Sequence, residues 1–173
     1  IGAAHCGRMA MNDNANGYDA IVVGAGPSGS ACAALLSQKG ARVLLMDRAS
    51  FPRDKPCGDA IGGKALNVLA ELDLDEKLEG KGFLRNSGIL FSSPSGTEVE
   101  IPLHWEGRQM SGGFVCRRFE FDNIVFQHAK KTCDTLERTE AADLIWKEGR
   151  VAGVKARTSD GSEREYRAKV VVG

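Results

Sequence analysis

The chain predicts an α/β fold with a parallel core and inserted antiparallel strands, and three features carry that expectation. The first is the run YDAIVVGAGPSGSACAALLSQKGARVLLMD from Tyr18 to Asp47, in which an apolar β-branched stretch, a glycine-rich turn, a helix-forming stretch and a second apolar stretch follow one another. The second is a change to period two after Gly88, where GILFSS and TEVEIPL flank the turn SPSG. The third is a closing series of short strand-like runs that ends in KVVV at 169–172. A βαβ unit of this kind makes the fold Rossmann-like.

Ile21, Val22 and Val23 read as a strand buried on both faces. Gly24, Gly26 and Gly29 then place GxGxxG where the strand turns into a helix. Pro27 suits the first helical turn, where its missing N–H costs nothing; Ser28 shares that turn, and Ala31, Ala33, Ala34, Leu35 and Leu36 continue the helix towards Gly40. Arg42 to Met46 form the second strand, which finishes on Asp47. Gly24 permits the tight turn, Gly26 admits a pyrophosphate where a Cβ would obstruct it, and Gly29 lets helix and strand pack closely. The helix N-terminus offers phosphates a partial positive charge, worth about 0.3–1 kcal/mol when exposed and up to about 2 when partly buried. Asp47 can accept hydrogen bonds from both hydroxyls of an adenosine ribose and would repel a 2′-phosphate. The spacing therefore points to FAD or NAD rather than NADP.

At 173 residues the chain fits one domain, with 1–16 read as a disordered leader or a vector-derived remnant and 17–173 as the folded part. Met9 and Met11 are candidate natural starts; His5 and Cys6 are either a solvated tail or an adventitious metal site. Lys+Arg and Asp+Glu are both 23, which removes the basic excess that a nucleic-acid partner requires. No apolar run approaches the ~20 residues of a membrane span, so a soluble protein is expected, with peripheral contact to lipid left open, and the scattered cysteines make a reducing cytoplasm the simpler expectation. Cys6, Cys32, Cys57, Cys116 and Cys133 are scattered and form no CxxC pair, which argues against a disulfide framework and against a metal site.

After Asp47 comes RASFPRDKPCGDAIGG, a proline- and glycine-containing loop long enough to imply a role of its own. Arg48, Arg53 and Lys55 are placed either to meet a pyrophosphate or second anionic nucleotide, or to form a solvated charged loop. Cys57 between Pro56 and Gly58 is either a catalytic or substrate-contacting thiol or an inert exposed one, and Gly58 would let a flat ring come close. Lys64 to Leu74 carry Ala65, Leu66, Leu69 and Leu72 at helical spacing, a core stripe. The GILFSS/TEVEIPL hairpin is expected to bury one face, and His104 and Trp105 follow it on a loop that either faces a ligand or is structural.

Residues 112–116 read as a short strand leading into a helix to about Lys131, with Phe121, Ile124, Val125 and Ala129 on its buried face. Arg118 stands at that junction, where a guanidinium can bridge a bound phosphate or ribose to a carboxylate such as Asp122. Strands are then expected at Asp143 to Trp146, Arg150 to Arg157 and Glu163 to Arg167, and a final buried parallel strand at 169–172.

These residues resemble the FAD-dependent oxidoreductases of the para-hydroxybenzoate hydroxylase superfamily, and within it the geranylgeranyl reductase family. VVGAGPSGSACA with LLMDR is similar to that family's FAD-binding start, FPRDKPCGDAI to its FPRxKxCGD segment, RRFEFD to its RxxFD motif at Arg118, Phe121 and Asp122, and AKVVVG to the strand it continues as ADG. The resemblance implies a glutathione-reductase-type FAD-binding domain with inserted antiparallel β-strands, whose C-terminal part, the second FAD motif and the substrate-binding sheet, is missing from this sequence. It implies that Asp47 holds the adenosine ribose, that Arg118 contacts the ribityl–pyrophosphate region, and that Cys57, with Gly58 and Asp59, lies near the isoalloxazine. It further implies FAD reduced by NAD(P)H or another donor and hydride delivery to an isoprenoid C=C bond of a hydrophobic substrate, with Cys57 or a water as proton source. Halogenases usually carry a GES-like sequence where CGD stands, so a flavin monooxygenase or halogenase is the alternative enzyme. A non-catalytic nucleotide-binding subunit is the alternative of another class. The remaining C-terminal part of the same protein, or a partner chain, would complete the site, and alone the chain is expected to be inactive.

Overall fold

In a computed structural model of the protein, residues 17–86, 88–102 and 112–173 are described; the expected leader and the His104–Trp105 loop lie outside them. Along the chain run β1 (Tyr18–Val23), α1 (Pro27–Gln38), β2 (Val43–Met46), β3 (Ala60–Ile61), α2 (Lys64–Glu71), α3 (Asp75–Glu79), β4 (Leu84–Arg85) and β5 (Gly88–Ser92). They are followed by β6 (Glu98–Pro102), β7 (Phe114–Val115), α4 (Arg118–Ala129), β8 (Asp134–Leu136), β9 (Thr139–Lys147), β10 (Arg150–Thr158) and β11 (Glu163–Val172). Six strands form the main sheet in the order β8-β2-β1-β11-β10-β9. β8, β2, β1 and β11 run parallel, as short apolar strands joined by helical crossovers do, and β9, β10 and β11 form an antiparallel meander.

Helices α1 and α4 pack together over one face of the parallel strands. Ala33 and Ala34 of α1 and Val125, Phe126 and Ala129 of α4 join Val22, Val43 and Leu45 in the larger core. Alanines on α1 let the helix lie close to the sheet, and α4 supplies the bulk: Phe126 stacks on Phe51 with ring centroids 4.3 Å apart. On the other face Tyr18, Ile21, Leu44, Met46, Val154 and Ala156 make a smaller cluster.

Several expectations differ from the structure. The helix expected over 64–74 stops at Glu71 and restarts as α3, because Asp73 takes φ +53°; the break turns Leu72, Leu74 and Leu78 inwards together. The strands expected at 163–167 and 169–172 are one strand: β11 pairs antiparallel with β10 up to Arg167 and parallel with β1 from Ala168. Its 169–172 segment is only partly buried: Val171 and Val172 pack against the two core clusters, while Val170, in register with Ala20, is 54% exposed. Strand β8 has no counterpart among the expected elements, and β9 begins at Thr139, ahead of the expected Asp143. Finally, the β5–β6 hairpin does have an apolar face, Ile89 and Phe91 opposite Ile101 and Val99, but nothing described packs on it and all four are exposed.

Candidate functional site

The end of β1 turns into α1 through a tightly specified corner. The Gly24 N–H donates to the Met46 carbonyl at 2.8 Å with φ +100°, a left-handed conformation that glycine adopts without strain. A Cβ on Gly29 would be driven into the Gly24 carbonyl oxygen, so glycine is required there for helix and strand to meet. No side chain caps α1, and its first turn carries no acidic residue. The amides at its N-terminus are therefore left to an anion.

Asp47 sits beside this corner and holds it. Its Oδ2 accepts the Ala25 N–H at 2.7 Å and its Oδ1 the Ala49 N–H at 2.8 Å, so the carboxylate ties the glycine loop to the loop after β2. That second loop is anchored further on: Glu137 accepts the Phe51 N–H at 2.8 Å and pairs with Lys130 at 2.9 Å. Burial works to raise the Glu137 carboxyl, but the Phe51 amide and Lys130 outweigh it and hold it below the usual range.

From the far side α4 contributes Asp122, a carboxylate with 0% side-chain exposure shared by two guanidiniums. Arg118 Nε donates to Oδ1 at 2.6 Å and Nη2 to Oδ2 at 3.0 Å, while Arg53 Nη1 approaches Oδ2 at 3.4 Å. The hydrogen bond to Asp122 keeps Arg118 protonated above its ordinary range.

These elements enclose a cleft of about 810 Å³. Gly24, Gly26, Pro27, Ser28, Gly29, Asp47, Arg48 and Arg118, all expected site residues, line it together. Four lining cations, Arg48, Arg53, Lys55 and Arg118, face two acids, Asp47 and Asp54. Cys57, Gly58 and Asp59 are not in that lining; they follow its last loop residue, Pro56, and are exposed. Cys32 on α1 lines the cleft and Glu137 braces its loop, and the sequence singled out neither. The signal for Cys32 is its place one turn after Gly29, on the same helical face. Among the described residues no group of three metal-ligating side chains converges, and no helix is long and apolar enough to cross a membrane.

The chain is similar to known proteins. The chain is 34% identical over 164 residues to menaquinone reductase of Mycobacterium tuberculosis, covering 94% of this chain and 38% of the relative. It is 33% identical over 158 residues to digeranylgeranylglycerophospholipid reductase of Methanosarcina acetivorans, covering 90% and 37%. The solved structure of the myxobacterial chondrochloren halogenase CndH, an FAD-dependent halogenase, superposes with a TM-score of 0.81 at 27% identity, over 89% of this chain and 36% of that one. The chain thus spans little more than a third of the length of the relatives it matches. With the FAD binding domain family matching residues 17–173, the glycine corner, the acid and the paired arginines make this chain a member of that family.

Proposed function

We propose that the chain forms the cofactor-binding part of a flavin-dependent oxidoreductase that reduces C=C bonds of a hydrophobic, isoprenoid-type substrate. The observation that carries the proposal is the cleft itself, where an uncapped helix N-terminus, a glycine corner, a strand-end acid and two guanidiniums converge. These residues fit FAD. The α1 N-terminus with Gly24, Gly26, Pro27, Ser28 and Gly29 would hold the pyrophosphate. Asp47 would hold the adenosine ribose through the lone pairs that Ala25 and Ala49 leave unused, and Arg48 and Arg118 would flank the dinucleotide. When bound, FAD supplies a two-electron carrier able to pass a hydride to an alkene.

Cys57, with Gly58 and Asp59 beside the mouth, would hold at Sγ the proton that the second alkene carbon needs. Unchanged turnover in Cys57→Ser would remove it from that role. NAD(P)H is the proposed donor. The rest of the protein, or a partner chain, would enclose the substrate in the cytoplasm, with peripheral membrane contact for a lipid. The reductase names of two relatives and the CGD segment support reduction; the likeness to a halogenase supports the second reading, a flavin monooxygenase or halogenase.

An absorbance spectrum of the intact natural protein is the first test: flavin bands are expected, and their absence would overturn the FAD reading. Anaerobic saturation of a prenyl chain then separates the reductase from oxygen-coupled NAD(P)H consumption, the mark of the second reading. A non-catalytic subunit would bind the nucleotide and do neither.

A further inference from the structure

The two arginines on Asp122 are not equivalent. Arg118 is held bidentately at 2.6 and 3.0 Å within one helix turn, so Nε and one Nη2 hydrogen are spent on the carboxylate. A charge pair of that geometry fixes the guanidinium plane, so the Arg118 N–H groups left over, on Nη1 and one on Nη2, point where the helix holds them. Arg53 touches the same carboxylate with only Nη1, at 3.4 Å, from a different loop. Its other terminal nitrogen, Nη2, lies 3.3 Å from where a Cβ on Gly26 would stand, directly over the glycine corner, and its guanidinium rests 5.0 Å from the Phe51 ring centroid. One buried carboxylate facing two cations leaves one positive charge in excess, and the looser partner carries it.

We infer that Arg53 is the side chain that donates to the dinucleotide's pyrophosphate, and that Asp122 is a positioning residue which, braced by Arg118, sets the Arg53 guanidinium over Gly26. The inference rests on the reading of the cleft as an FAD site. It gives Gly26 a second role, because the missing Cβ admits Arg53 as well as the ligand. It also shifts the phosphate contact from the arginine that the motif spacing favours to one that the sequence alone left as either a site residue or a solvated cation.

The test is FAD affinity, measured by titration of deflavinated intact protein at several salt concentrations. Arg53→Gln is expected to fold, judged by far-UV circular dichroism, and to bind FAD roughly 10- to 100-fold more weakly, the loss of one charge-assisted contact. Its affinity should also respond less steeply to salt than that of wild type, a readout that a purely structural role would not move. Arg53→Lys should recover part of the affinity and the salt response. Asp122→Asn should show a smaller loss of affinity with the salt response kept, because both guanidiniums retain their charge and only their placement is lost, and Asp122→Glu should restore affinity; if neither Asp122 variant folds, the Arg53 pair decides. Wild-type affinity and salt response in Arg53→Gln, with the loss appearing in a folded Arg118→Lys, would overturn the assignment. Wild-type protein that binds no FAD at all would overturn the cleft reading first, and this inference with it.

Discussion

The βαβ half of the molecule and the β5–β6 hairpin have the same kind of sequence signal and opposite fates. Both carry apolar strand sequences, continuous in β1 and β2 and alternating in the hairpin. In the first, Val22, Leu45, Ala33 and Phe126 close on one another across sheet and helices and are lost to solvent. In the second, Ile89, Phe91, Val99 and Ile101 line up on one face of a two-stranded ribbon, and Phe91 remains 56% exposed. An apolar strand pattern therefore identifies surface that can be buried, and a partner element decides whether it is. The βαβ unit brings its own partner, because the crossover helix must return over the strands it connects. A hairpin makes no such return, and two strands alone bury nothing between them.

The largest expected effect lies in the buried half. Phe126→Ala removes a ring that is 1% exposed and stacked on Phe51, and should cost about 3–5 kcal/mol, read as a lower denaturation midpoint. Gly29→Ala comes next. Its added Cβ has no room beside the Gly24 carbonyl, so the corner must open at about 1–3 kcal/mol, and FAD binding should fall together with stability. A Gly29→Ala protein with wild-type stability and flavin content would break the account of the corner.

How much of this was legible in the sequence follows the same division. The corner from Tyr18 to Asp47 was readable to within a residue or two because every signal there is local: strand, glycine spacing, helix formers and terminal acid. Arg118 and Asp122 were readable as a pair because they are four apart on one helix. Arg53's share in Asp122 was not, since the two residues meet only after 69 positions of chain have folded back, and no spacing rule spans that. Strand β8 escaped because its three residues Asp134–Leu136 are too short for a period. The merging of 163–167 with 169–172 escaped because Arg167 and Lys169 interrupt the apolar pattern at the point where the strand changes partners.

A smaller effect is expected from acid. His128, in the last turn of α4, has both ring nitrogens buried without a hydrogen-bond partner. Burial, then Lys77 and Lys131, lower its pKa from the ordinary 6.5, and Asp73 opposes them weakly. The unfolded chain therefore binds this proton at a higher pH than the folded one. The contribution to stability is present above pH 6.5 and is lost as pH falls through the depressed folded value. Denaturation midpoints taken from about pH 7 to about pH 5 should decline in the wild type and decline less in His128→Gln. Equal slopes would mean that the His128 ring is solvated in the folded protein.

The smallest effect is expected in the hairpin, and it is the sharpest test of the comparison. In the 173-residue chain, Phe91→Ala should change stability by no more than about 0.5 kcal/mol, because a ring already facing water loses almost no burial when truncated. The same chemical change at Phe126 is expected to cost several times as much, so a matched pair of unfolding curves isolates the partner from the side chain. A large loss at Phe91 would mean that the Ile89–Phe91–Val99–Ile101 face is covered in solution. Dependence of that loss on protein concentration would then identify a second copy as the cover, since only an intermolecular contact weakens on dilution.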